Sequence, residues 1–112
     1  MPKSIIRAYS FYSRQAAALL GDLIREARHE RGLTAQELAE RAGISRGMLQ
    51  RIEKGNMKCE IGAVFEVAAI VGVKLFDADE NALAKHLSQT REKLSLLPKS
   101  VRKKKKDVRD DF

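Results

Sequence analysis

Residues 33–55, LTAQELAERAGISRGMLQRIEKG, constrain the fold more than any other stretch. Thr34 followed three residues later by Glu37 is a capping box, which satisfies two otherwise orphaned amides and starts a helix. Leu38, Ala39 and Ala42 give this short helix an apolar face, and Gly43 supplies the positive φ that a tight turn needs. Ile44 fills the angle to a second helix, capped by Ser45 and closed by Gly55 at its C′ position. Along that second helix Met48, Leu49 and Ile52 share one side, while Arg46, Gly47, Gln50 and Arg51 fall on the other.

Two short helices joined steeply by a glycine turn form the unit that lays its second helix in the DNA major groove. The outward face has suitable chemistry. Arginine forks onto guanine O6 and N7, glutamine onto adenine, and glycine lets the backbone approach closely. Periodicity alone is equally compatible with a helical hairpin whose polar face is merely solvated, since Arg and Gln are ordinary surface residues.

The stretch resembles the Xre family, the helix-turn-helix class of lambda repressor and Cro, over residues 20–73. Leu33, Thr34, Glu37, Leu38, Ala39, Ala42, Gly43, Ile44, Ser45, Leu49, Ile52, Glu53 and Gly55 reproduce the family motif in order and without a gap. The resemblance implies base-facing roles for Ser45, Arg46, Gly47, Gln50 and Arg51. It places Thr34, Gln36, Lys54, Asn56 and Lys58 near phosphates. One position departs: the family usually puts Gln directly after the capping Thr, where this chain has Ala35, with Gln36 following. Arg28 stands where the family has an Arg paired with the Glu of the third helix, here Glu53, so the two are expected to form a structural pair.

Composition adds bounds. At 112 residues the chain is one small domain with a modest core, for which dimerisation is a natural source of further stability. The net charge of +7 favours a polyanionic partner. From Pro98 onward Lys99, Arg102, Lys103, Lys104, Lys105, Lys106 and Arg109 against Asp107, Asp110 and Asp111 give +4, leaving +3 for the body. DNA binding is therefore indicated by the motif, not by the overall charge. The single Cys59 excludes an intramolecular disulfide, and with His29 and His86 scattered no metal-ligand spacing arises. Cys59 reads as a small buried filler or a redox sensor. The start lacks a leader-like apolar region and the longest apolar run is too short to span a bilayer, so a cytoplasmic protein is expected. No nucleophile with a base, phosphate-cradling Gly loop or paired carboxylates stand in a recognisable motif, so neither an enzyme nor a cofactor is expected.

In chain order, residues 1–13 carry Ile5, Ile6, Tyr9, Phe11 and Tyr12 and read as an N-terminal arm, either extended or running into a helix capped at Ser10 or Ser13. Ala16, Leu19, Leu20, Leu23, Ile24 and Ala27 then keep a helical stripe to Arg31, where Gly32 ends it. Beyond the motif, residues 60–71 predict a strongly apolar helix. Its buried side is expected at Ile61, Val64, Phe65, Ala68 and Val71, with Val67 and Ile70 widening the stripe towards a partner. Residues 73–76 suggest an edge strand or the start of an interface. Asp77 or Asp79 caps a last helix over residues 80–96, whose Leu83, Leu87, Leu94 and Leu97 recur at near-heptad spacing. That row serves a dimer seam or packs on its own domain.

Residues 98–112 form a basic tail, expected to be disordered when free, with Val108 and Phe112 as its only apolar anchors for a partner. The segment VFEVAAIVGVKLF, the Leu-rich helix and this ending together resemble HipB-type antitoxins, Xre-family repressors encoded beside HipA-like kinase toxins. The expected architecture is thus all-α: a five-helix lambda-repressor-like DNA-binding domain with a short N-terminal arm and a disordered basic C-terminal tail. Its parts are the arm (1–13), the helix-turn-helix domain (14–76), a C-terminal helix for dimerisation (77–97) and the tail (98–112). The expected partners are double-stranded DNA, a second copy and a HipA-like kinase. A stand-alone phage or metabolic repressor, and a protein-interaction adaptor on the same scaffold, remain alternatives.

Overall fold

A computed structural model of the protein describes residues 8–103. They form five α-helices, α1 (Phe11–Glu30), α2 (Ala35–Ala42), α3 (Arg46–Glu53), α4 (Ile61–Val71) and α5 (Glu80–Ser95), with a 3-10 turn at Leu75–Asp77. No strand occurs among the described residues, so the fold is all-α. One compact unit runs to Asp77 and a second begins at Ala78. Lys104 to Lys106, Val108 and Phe112 of the tail, and Ile5 and Ile6 of the arm, lie outside the described residues.

In the first unit α2 packs on α3 and α4, and α1 packs on the same pair. The core joins Ile24 of α1, Leu38 and Ala39 of α2, Leu49 and Ile52 of α3, and Val67, Ala68 and Val71 of α4. Each large side chain buried this way contributes about 1.5–3 kcal/mol.

The four helices end alike. After α1, α2, α3 and α4 the glycines 32, 43, 55 and 72 take positive φ. At each end the glycine and the residue after it bond back to the last turn, as in Gly55 N to Ile52 O (3.0 Å) and Asn56 N to Arg51 O (3.0 Å). The residue after the glycine is apolar and seated on the core in three cases, Leu33, Ile44 and Val73. After α3 it is Asn56, which is exposed.

Four expectations need correction. α1 begins at Phe11, capped by Ser10 as one of the two readings of this stretch has it, with the Ser10 side chain accepting from the Ser13 amide; residues 11–13 are its first turn, so the arm boundary at 13 is too late. On α4, Ala68 and Val71 are buried as expected, but Ile61 is 68 % exposed and Val67, expected to face a partner, is fully buried. The helix is apolar nearly all round, so periodicity could not choose its facing, and Val67 offers no surface to a partner. Leu19 and Leu23 of α1 are exposed, leaving Leu20, Ile24 and Ala27 to meet the core. Residues 73–76 form no strand: Val73 and Leu75 pack against the core, and Phe76 (φ 56) and Asp77 (φ 53) turn left-handed, which prevents extended pairing.

Candidate nucleic-acid interface

The capping box opens α2 as its residues dictate. Thr34 Oγ1 accepts from the Glu37 amide at 3.0 Å, and Glu37 Oε1 accepts from the Thr34 amide at 2.8 Å. The hydrogen bond from the Thr34 amide, supported by the Thr34 side chain, holds the Glu37 carboxyl below its ordinary range. Because that amide is taken, Thr34 could meet a phosphate only through its hydroxyl hydrogen and the free amides just after it. Gln36 is turned along the helix, its Nε2 donating to Glu40 at 3.0 Å.

Gly43, at φ 72, reverses the chain into α3, where Ser45 Oγ accepts from the Met48 amide at 3.0 Å. Ser45 is thus the N-cap, and its oxygen is engaged in starting the helix. Leu49 and Ile52 are buried on the inner side, with Met48 half-buried beside them. Arg46, Gln50 and Arg51 are exposed on the outer side. Gly47 lies between them with ordinary helical backbone, and a Cβ built on it would come no closer than 3.6 Å to the Arg51 guanidinium. The fold therefore does not require a glycine there.

The one acid of α3 is withdrawn from that face. Glu53 receives a fork from Arg28, Nε to Oε2 at 2.7 Å and Nη2 to Oε1 at 2.9 Å, with side chains only 10 % and 9 % exposed. Arg28 Nη1 also donates to the Leu33 carbonyl at 3.0 Å, tying α1, the α1–α2 turn and α3 together. The Glu53 hydrogen bond holds the guanidinium above its already high ordinary range. With Glu53 neutralised, the outward charge of α3 is positive.

At the far end, Asn56 Oδ1 accepts from the Lys58 amide at 2.7 Å, an Asx turn that shapes the loop. Lys54 and Lys58 are exposed there. Cys59 is half-buried against the core, and the described residues contain no cluster of metal-binding type. No helix among them is long and apolar enough to cross a membrane.

Three positioning features were missed from the sequence. Gly21 lies where a Cβ would come within 2.6 Å of the Ile52 carbonyl oxygen, so it lets α1 touch the end of α3. A glycine inside a helical stripe was the available signal. Gly55 has a second role besides its positive φ, since its Cβ would lie 2.8 Å from the Ala18 Cα. Arg31 Nε donates to the Val71 carbonyl at 2.8 Å and thereby caps α4; nothing local in the sequence links residues so far apart.

A buried-faced α2, a left-handed glycine and an α3 with its polar side turned out define a helix-turn-helix protein. Residues 19–84, more than half of the chain, match the model of a helix-turn-helix domain family, and the chain belongs to that family. Over 50 residues it is 42 % identical to a Methanothermobacter thermautotrophicus protein named an uncharacterized HTH-type transcriptional regulator, a match covering 45 % of this chain and 72 % of that protein.

Proposed function

We propose that the chain is a repressor that binds an inverted-repeat operator as a homodimer, laying one α3 in the major groove of each half-site. As a member of the helix-turn-helix family related to a transcriptional regulator, it is a DNA-binding transcription regulator. The finer reading is carried by one observation: Arg46, Gln50 and Arg51 stand exposed on α3 while its only acid, Glu53, is held by Arg28. In this reading Ser45, Arg46, Gly47, Gln50 and Arg51 approach the bases, and Thr34, Gln36, Lys54, Asn56 and Lys58 approach phosphates. One α3 spans only a few base pairs, so useful affinity needs two. The exposed Leu83, Leu87 and Leu94 of α5 supply a contact for the second copy.

Selection of duplexes from a random pool, with light scattering of the protein, tests the reading. The expected product is an inverted repeat with half-site centres about 34–36 Å apart, or a multiple of that, bound by a dimer. A pool that stays random at every salt concentration contradicts it and favours the adaptor.

The antitoxin role is a narrower proposal, supported by the resemblance of residues 64–76, the Leu-rich helix and the tail to HipB-type proteins. It adds a HipA-like kinase as partner, held through Val108 and Phe112. Co-purification with the product of the adjacent gene, lost on truncation after Lys99, is the expected result. A chain that elutes without that product is a stand-alone repressor.

A further inference from the structure

The helix-turn-helix family match begins at residue 19, but α1 begins at Phe11, so its first two turns precede the family domain. These turns are held in a definite place. The backbone of Ala17 and Ala18 lies against Gly55 so closely that a Cβ there would meet the Ala18 Cα at 2.8 Å and its amide nitrogen at 3.0 Å. Gly55 is the residue that turns the chain out of α3 into the Asn56–Lys58 loop. Arg14 is one turn before Ala18, hence on the same face of α1 and about 6 Å further along its axis.

Charge distinguishes this part of the molecule from the rest of α1. From its start to Gly21, α1 carries Arg14 and no acid; its first carboxylate is Asp22. The adjoining stretch from Lys54 to Cys59 is also free of acids. Arg14 is exposed, and no carboxylate among the described residues pairs with it. The turn that follows α3 is the only one of the four in which the residue after the glycine is polar and exposed, Asn56, in place of an apolar plug. Where α3 occupies a major groove, the residues leaving its end face the groove wall, which is phosphate backbone.

We propose that Arg14 is a further phosphate-binding residue, carried by the extension of α1 to the DNA strand that Lys54 and Lys58 flank. The inference rests on the operator reading above and adds to it a contact outside the family domain. Arg14 anchors and carries no base information, so it strengthens binding to every duplex alike.

The test is the salt dependence of binding to the duplex that the wild-type protein selects, and to a scrambled duplex of equal length. Arg14→Ala is expected to lower the magnitude of the log K against log salt slope by about 0.9 per bound protomer on both duplexes. Arg14→Lys should keep the wild-type slope, and the melting temperature should not move in either variant. A selected duplex bound by Arg14→Ala with the wild-type slope overturns the assignment, as does a loss confined to the selected duplex. A wild-type protein that selects no duplex defeats the operator reading and this inference with it.

Discussion

α3 and α5 are both capped amphipathic helices, but they place their apolar residues differently. Eight-residue α3 buries Leu49 and Ile52 completely or nearly so and is tied to α1 by the Arg28–Glu53 fork. Sixteen-residue α5 buries none of its residues, and Leu87 and Leu94 are 50 % and 58 % exposed. A helix as short as α3 does not hold its shape alone in water. Its geometry is imposed by the core, so the aim of Arg46, Gln50 and Arg51 is already set within one chain. α5 has a good cap in Asp79, whose side chain accepts from the Ala82 amide at 2.8 Å, but among the described residues its Leu87 and Leu94 stay exposed. The first helix is finished by its own chain; the second is the one to which the proposed function assigns the contact with a second copy.

The sharpest way to break this contrast is a pair of truncations. Leu49→Ala is expected to cost about 2–5 kcal/mol of unfolding free energy, the range for a fully buried leucine. Leu87→Ala should leave the unfolding of the first unit almost unchanged and shift the monomer–dimer equilibrium towards monomer. Denaturant unfolding and sedimentation read the two effects separately. Equal destabilisation by both changes would show α5 to be core like α3.

A somewhat smaller loss is expected from Arg28→Ala, on the order of 2–3 kcal/mol, because the Glu53 carboxylate is left nearly buried without its partner. The double change with Glu53→Gln should recover part of it. A thermodynamic cycle with no coupling between the two positions would contradict the role of the fork in fixing α3.

Much of this was legible in the residues. Thr34, Glu37, Gly43, Ser45 and Gly55 act through bonds to neighbours within a few positions, so the ends of α2 and α3 follow from turn and cap chemistry. What escaped depends on how helices meet. Gly21 matters only because α1 touches the Ile52 carbonyl, and Arg31 only because the end of α4 lies within its reach. Which of Ile61 and Val67 on α4 faces the core is not legible in the sequence, because both are apolar and only the packing of α1 and α2 decides which is covered. The turn at Phe76, 77 % exposed with φ 56, runs against the β-forming character of its neighbours.

The smallest stability change is the most informative about the outer face of α3. Gly47→Ala replaces a glycine in ordinary helical backbone with nothing closer than 3.6 Å to obstruct the methyl group. It should stabilise the fold by about 0.5–1 kcal/mol, since glycine inside a helix is entropically costly. If backbone approach to a base is the reason for the glycine, operator affinity should fall in the same variant. A rise in melting temperature with unchanged affinity would remove Gly47 from the reading face.

The central claim, that the outer face of α3 reads bases, is tested most directly by one ratio: affinity for the selected duplex over affinity for a scrambled one, measured for wild type and for Arg51→Ala at the same salt. Loss of a forked base contact should reduce that ratio by about 1–3 kcal/mol, with melting temperature unchanged and scrambled-duplex binding weakened much less. Equal weakening on both duplexes would mean that Arg51 only touches phosphate, and the base-reading assignment of α3 would fall.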